Sequence, residues 1–93
     1  MIRTFADKHT ERVWRGDRVA RLPADVQRVG RRKLRMLNNA RDLQDLRVTP
    51  GNRLEPLHRD RAGQHSIRIN DQWRVCFRWR DGDAYDVEIV DYH

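Results

Sequence analysis

Arg68 and Arg74 flank a short polar stretch, Asn70-Asp71-Gln72, and the chain closes on an acid, a phenol and an imidazole, Asp91-Tyr92-His93. If the flanking runs are strands and the stretch is the turn between them, both guanidinium groups project from adjacent strands on one face. Two cations side by side repel, so the pair implies an anion between them, and the planar fork of arginine fits phosphate. A phosphate undergoing transfer gains charge on its equatorial oxygens and is the anion for which such a pair matters most. The terminal group adds the means to move protons, since a histidine with an ordinary pKa near ~6.5 can accept or donate one at neutral pH. The set suits phosphate chemistry. The alternative is that both arginines pair with surface carboxylates.

These residues need a sheet to hold them. His65 to Asn70 reads as a strand with Ile67 and Ile69 inward and Ser66 and Arg68 outward. In the next run Trp73, Val75, Phe77 and Trp79 alternate with Arg74, Cys76, Arg78 and Arg80, which predicts one apolar and one cationic face. Asp81-Gly82-Asp83 makes a tight turn into a further alternating run with Tyr85, Val87 and Ile89 on its apolar side.

Upstream, Ile2 to Phe5 fits a short edge strand, and Asp7 caps a short helix through Thr10, Glu11, Val13 and Trp14 that Gly16 closes, with Trp14 in the core. Leu22-Pro23-Ala24-Asp25 begins the longest helix, with Val26, Val29, Leu34, Leu37 and Ala40 near one face. Arg28, Arg31, Arg32 and Arg35 occupy its other faces, as a solvated surface or as a grip on nucleic-acid backbone or an acidic partner. Asp42 to Leu46 forms one more turn, Thr49 to Asn52 has turn composition, Glu55-Pro56 is a first or edge strand, and Arg59 to Gly63 is a loop. Helices followed by consecutive antiparallel strands predict an α+β domain over residues 1–93, with an N-terminal strand and helices packed on one face of a mainly antiparallel sheet.

Composition narrows the partners. The net charge is +6, and all cationic side chains except Lys8 and Lys33 are arginines, which favours an anionic polymer unless the arginines reflect coding bias. No apolar run is long enough for a signal peptide or a bilayer span, so a soluble, cytoplasmic protein without membrane association is expected. With Cys76 alone, no internal disulfide forms, and four scattered histidines give no metal site.

Several longer stretches carry a resemblance. Gly51-Asn52-Arg53-Leu54-Glu55-Pro56-Leu57, Asp60 to Asn70, Gln72-Trp73-Arg74-Val75-Cys76-Phe77 and the terminal Asp86 to His93 resemble the HigB toxins of the RelE/ParE superfamily. The resemblance implies a RelE/ParE-like fold and a ribosome-dependent mRNA endoribonuclease from a bacterial type II toxin–antitoxin pair, working without metal or cofactor. It also implies neutralisation by a HigA-like helix-turn-helix antitoxin, through which alone the toxin meets operator DNA. The implied reaction is attack of a 2′-OH on the adjacent phosphate, leaving a 2′,3′-cyclic phosphate or its opened product. Matched position by position, Arg74 carries over as the phosphate-binding arginine and Asp91, Tyr92 and His93 as the terminal catalytic group. Gln72 falls in the turn that the family uses to touch the A-site nucleotide, strand geometry places Arg68 beside these groups, and Arg61 is a further candidate for RNA contact.

Two positions depart from the family pattern: Glu55 stands in place of a histidine and His58 in place of a lysine. A carboxylate can accept a proton and an imidazole can donate one. The base is therefore Glu55 or Asp91, the acid His93 or His58, with Arg74 and Arg68 on the phosphorane and Tyr92 orienting or relaying. Two other readings stand beside this one. A ParE-like toxin acting on a protein target has no use for the acid–base set. A basic RNA-binding module could stack bases on Trp73, Trp79 and Tyr85, although their alternation with charge makes them core residues.

Overall fold

The computed structural model describes residues 1–92. Its helices are α1 (Lys8–Arg15), α2 (Ala24–Asn39) and α3 (Leu43–Arg47); its strands are β1 (Glu55–Pro56), β2 (Gln64–Arg68), β3 (Trp73–Arg80) and β4 (Asp83–Asp91). The strands pair antiparallel in chain order, β1-β2-β3-β4, and the helices cover one face of this sheet. No helix among the described residues is long and apolar enough to cross a membrane.

Local chemistry accounts for the helix ends. The Asp7 carboxylate accepts from the Thr10 amide at 3.0 Å, and Gly16 closes α1 at φ 92°, a left-handed conformation that costs glycine little. Asp42 and Asp45 cap α3 reciprocally, each side chain accepting from the other's backbone amide. Pro23 lies just before α2, where its missing N–H removes no helical bond.

The core is built from Val13, Val26, Leu34, Leu37 and Leu46 on the helices against Ile67, Val75, Phe77, Val87 and Ile89 on the sheet. Trp14, Val29, Trp73 and Trp79 pack on its margin, half-buried. Gly30 faces the sheet: a Cβ there would stand 3.3 Å from Ile89 Cδ1 and 3.4 Å from Ile69 Cδ1, so its absence lets α2 lie close to the strands.

Three expectations change. The N-terminal stretch does not form a regular edge strand; it runs parallel to β4 through two isolated bridges, Ile2 with Ala84 and Phe5 with Val87. A bulge explains the interruption. Between the pairs Cys76–Glu88 and Arg78–Tyr85, β4 carries an extra residue, with Asp86 at φ 52° and its amide donating to Thr4 Oγ1 at 2.8 Å. The bulge also resets the alternation, so that Ala84, not Tyr85, shares the core side with Val87 and Ile89. Tyr85 pairs with Arg78 on the opposite, open face. Finally, Ser66 and Cys76 lie on that open face but are fully buried, because longer side chains close over them.

Candidate active site

Antiparallel partners share a face, so the register assigns the open side of the sheet directly. Glu55 pairs with Ser66, Ser66 with Cys76, Cys76 with Glu88, Arg68 with Arg74 and Arg74 with Val90. Arg74 is the centre of this surface and not the wet residue its alternation suggests, since its side chain is 11% exposed. Its Nε donates to Ser66 Oγ at 2.7 Å and its Nη2 to the Arg53 carbonyl at 2.6 Å, while Glu55 Oε1 lies 3.3 Å from Nη2. One edge of the guanidinium is thereby fixed. Nη1 makes no hydrogen bond among the described residues.

The Arg53 carbonyl is itself held by a buried polar hub. Lys33 interrupts the apolar stripe of α2 and donates from Nζ to Asn52 Oδ1 at 2.5 Å; both side chains are buried. Asn52 Nδ2 donates to the Leu46 carbonyl at 3.1 Å, and the Asn52 carbonyl accepts from the Arg68 amide at 2.6 Å. These bonds tie α2, the end of α3 and β2 to the turn before Arg53, which sits at φ 46°. Burial, with Arg32 and Arg68 nearby, holds the Lys33 ammonium below its usual pKa. Lys33, Asn52 and Ser66 were not singled out from sequence. The visible signal was a lysine in register with Val26, Gly30 and Leu37 on a helix otherwise using arginine.

The remaining candidates divide. The Arg68 guanidinium is turned to Asp71, with Nη2 2.5 Å from Oδ1, and this contact holds the Asp71 carboxyl below the usual carboxylate range. Arg61, on a 3₁₀ turn spanning Arg59–Arg61, reaches across the open face to Glu88 Oε1 at 3.3 Å and Gln64 Oε1 at 3.1 Å. Beneath it burial pushes the Cys76 thiol up. Gln72 Nε2 donates to Asp91 Oδ2 at 3.1 Å, and the Tyr92 amide donates to the Gln72 carbonyl at 2.6 Å, so the β2–β3 turn carries the chain end. Asp91 pairs with Trp73, on the helix-covered side, and β4 stays regular there; alternation takes Tyr92, 41% exposed, to the side of Val90 and Arg74. His58 is exposed beside the 3₁₀ turn, and His93 lies outside the described residues. Among the described residues no three His, Cys, Asp or Glu side chains come together as a metal-binding group.

Comparison with known proteins places this arrangement. Residues 3–93 match the family described as the RelE-like toxin of type II toxin–antitoxin system HigB. The chain belongs to the HigB-like toxins. It is 41% identical over 90 residues to Toxin HigB-1 of Vibrio cholerae serotype O1, covering 96% of this chain and 95% of that one. It is 33% identical over 94 residues to Endoribonuclease HigB of Proteus vulgaris, covering 100% of both. In architecture it resembles a YoeB/ParE toxin from Agrobacterium tumefaciens, with a TM-score of 0.54 at 18% identity over 99% of this chain and 96% of that one.

This HigB-like toxin carries a second cationic surface on its helices. Arg18, Arg28, Arg31, Arg32 and Arg35 line a groove of about 540 Å³ between α2 and the end of α1. None of the five is in an ion pair among the described residues, whereas Arg61, Arg68, Arg74 and Arg78 on the sheet side all are. Arginines spaced three and four apart on one helix repel by a few tenths of a kcal/mol per pair, so the stripe favours an external anionic partner.

Proposed function

We propose that this toxin is an endoribonuclease that cuts mRNA on the ribosome, without a metal ion, by attack of a ribose 2′-OH on the adjacent phosphate. The observation that carries the reading is the state of Arg74: a guanidinium fixed by Ser66 and the Arg53 carbonyl, with a carboxylate at 3.3 Å. A donor positioned in advance of the reaction stabilises developing charge on a phosphorane without reorganising. The name of the Proteus relative supports the same chemistry.

In this reading the O2′–P bond forms as the P–O5′ bond breaks. Glu55 takes the 2′-OH proton, because it shares the open face with Arg74 while Asp91 pairs on the other side of the sheet. An imidazole, His58 or His93, supplies the proton to the leaving 5′-oxygen. Tyr92 orients the substrate on the same side. Asp91 holds Gln72, which touches the nucleotide at the turn.

The antitoxin partner belongs to the HigA-like helix-turn-helix type and brings the toxin to operator DNA only through itself. It presents acidic side chains, for which the unneutralised arginines of α2 are the complement. Primer extension on a defined mRNA, with purified toxin and with or without ribosomes, tests the function. Cuts that appear only with ribosomes are expected. Cuts without ribosomes overturn the ribosome requirement, and intact mRNA in both arms overturns the nuclease.

A further inference from the structure

The β4 bulge does more than interrupt pairing. In a regular strand Tyr85 would face the helices with Val87 and Ile89; Asp86 in a left-handed conformation turns the ring to the open face. Bulges recur beside binding sites because they re-aim a side chain. On that face the ring meets the Arg80 guanidinium at 4.6 Å, and Arg78 is its cross-strand partner. A hollow of about 440 Å³ opens there, with Arg78, Arg80, Tyr85, Asp86 and Gly63 among its lining residues. Gly63 is part of why it is open, since a Cβ at that position would stand 2.9 Å from Arg78 Nη1.

The hollow lies in line with Arg74. Arg74, Arg78 and Arg80 share one face of β3, which places Arg78 about 14 Å and Arg80 about 20 Å along the strand from the reaction centre. The position between, Cys76, carries no charge, and Arg61 closes over it from the 3₁₀ turn. A row of guanidinium groups therefore runs from Arg74 past Arg61 to Arg78 and Arg80, with Glu88 paired to Arg61 and Asp86 to Arg78, and ends on an aromatic ring. Cation and aromatic together are the means by which single strands are held without sequence readout.

We propose that this hollow is a second RNA subsite, in which Arg78 and Arg80 hold backbone phosphates of the single strand whose scissile phosphate is at Arg74, and a base stacks on the Arg80–Tyr85 pair. The proposal rests on the nuclease reading for its direction along the strand, but the binding itself does not depend on catalysis. Arg78 is held by Asp86 at 3.4 Å, an exposed ion pair weak enough to yield to phosphate.

The test uses the full chain and two readouts. The first is binding of a fluorescent 2′-O-methyl RNA octamer, which lacks the attacking hydroxyl and cannot be cut; the second is half-saturation of mRNA cleavage on ribosomes. Tyr85→Leu and Arg80→Gln are each expected to weaken octamer binding about tenfold, and to raise the half-saturating concentration more than they lower the maximal rate. Tyr85→Phe, which keeps the stack, is expected to restore binding. Thermal melting checks each fold, and if Tyr85→Leu melts low, the exposed Arg78→Gln decides in its place. Wild-type affinity in the folded variants, or no octamer binding by the wild type, overturns the subsite. Octamer binding that depends on Tyr85 without any cleavage of ribosome-bound mRNA supports the subsite and overturns the nuclease reading instead.

Discussion

Arg68 and Arg74 stand directly opposite each other on β2 and β3, yet their guanidinium groups are held by different partners, Arg68 by Asp71 and Arg74 by Ser66 and the Arg53 carbonyl. The two are not an equal pair waiting for one anion. Arg74→Ala is expected to lower cleavage by about 10²-fold or more. Because it also removes the donors to Ser66 and Arg53, it should destabilise the fold by about 1–3 kcal/mol. Arg68→Ala should cost far less rate. Single-turnover cleavage with urea denaturation of each variant checks the order, and equal rate losses would restore a symmetric clamp.

Glu55 and Asp91 are separated by the sheet they border. Glu55→Gln is expected to lower the rate by about 10²-fold or more. Asp91→Asn should chiefly raise the half-saturating mRNA concentration through Gln72. His58→Gln and His93→Gln, run alongside, assign the acid: the one that lowers the maximal rate by about 10²-fold or more supplies the proton. The reverse pattern for the two carboxylates would move the base to Asp91.

Lys33 acts on the site from beneath. Lys33→Met fills the same space but leaves Asn52 Oδ1 without its donor, and should cost about 1–3 kcal/mol of stability. The wild type should gain stability as pH rises towards 10.5, because the unfolded chain holds the Lys33 proton after the folded one has released it. Denaturation midpoints between pH 8 and 10 are expected to rise for the wild type, and to do so less for Lys33→Met. Parallel curves would show that the ammonium is not disfavoured by burial.

His65 stacks on Phe77, and its buried Nδ1 has no hydrogen-bond partner among the described residues; burial, then Arg47, lowers its pKa from 6.5. The unfolded chain therefore takes up this proton first on acidification, and stability should fall as pH drops from 6.5 towards the folded pKa. His65→Phe should flatten this slope. Chemical denaturation across pH 7 to 5 checks it, and an unchanged slope would assign the loss to other groups.

The α2 groove should matter to the antitoxin and not to the reaction centre. Replacing Arg28 and Arg32 together by Ala is expected to weaken antitoxin binding by about tenfold or more at low salt and to reduce the salt dependence of affinity. Titration calorimetry at two salt concentrations reads both. Unchanged affinity would place the antitoxin elsewhere.

Much of this protein was legible in the order of its residues because it depends on short-range periodicity. Alternation in β2 and β3 and the capping residues Asp7, Gly16 and Asp42 specify elements through bonds within a few residues, and the short turn between β2 and β3 makes Arg68 and Arg74 cross-strand neighbours. What lay beyond sequence depends on contacts between distant segments. A bulge has no obligatory residue, so the turning of Tyr85 out of the core emerged only when Thr4, 82 positions from Asp86, supplied the hydroxyl that satisfies the extra amide. The burial of Arg74 likewise follows from Lys33 and Asn52 fixing the turn before Arg53, since a strand's alternation states which face a side chain takes and not what closes over it.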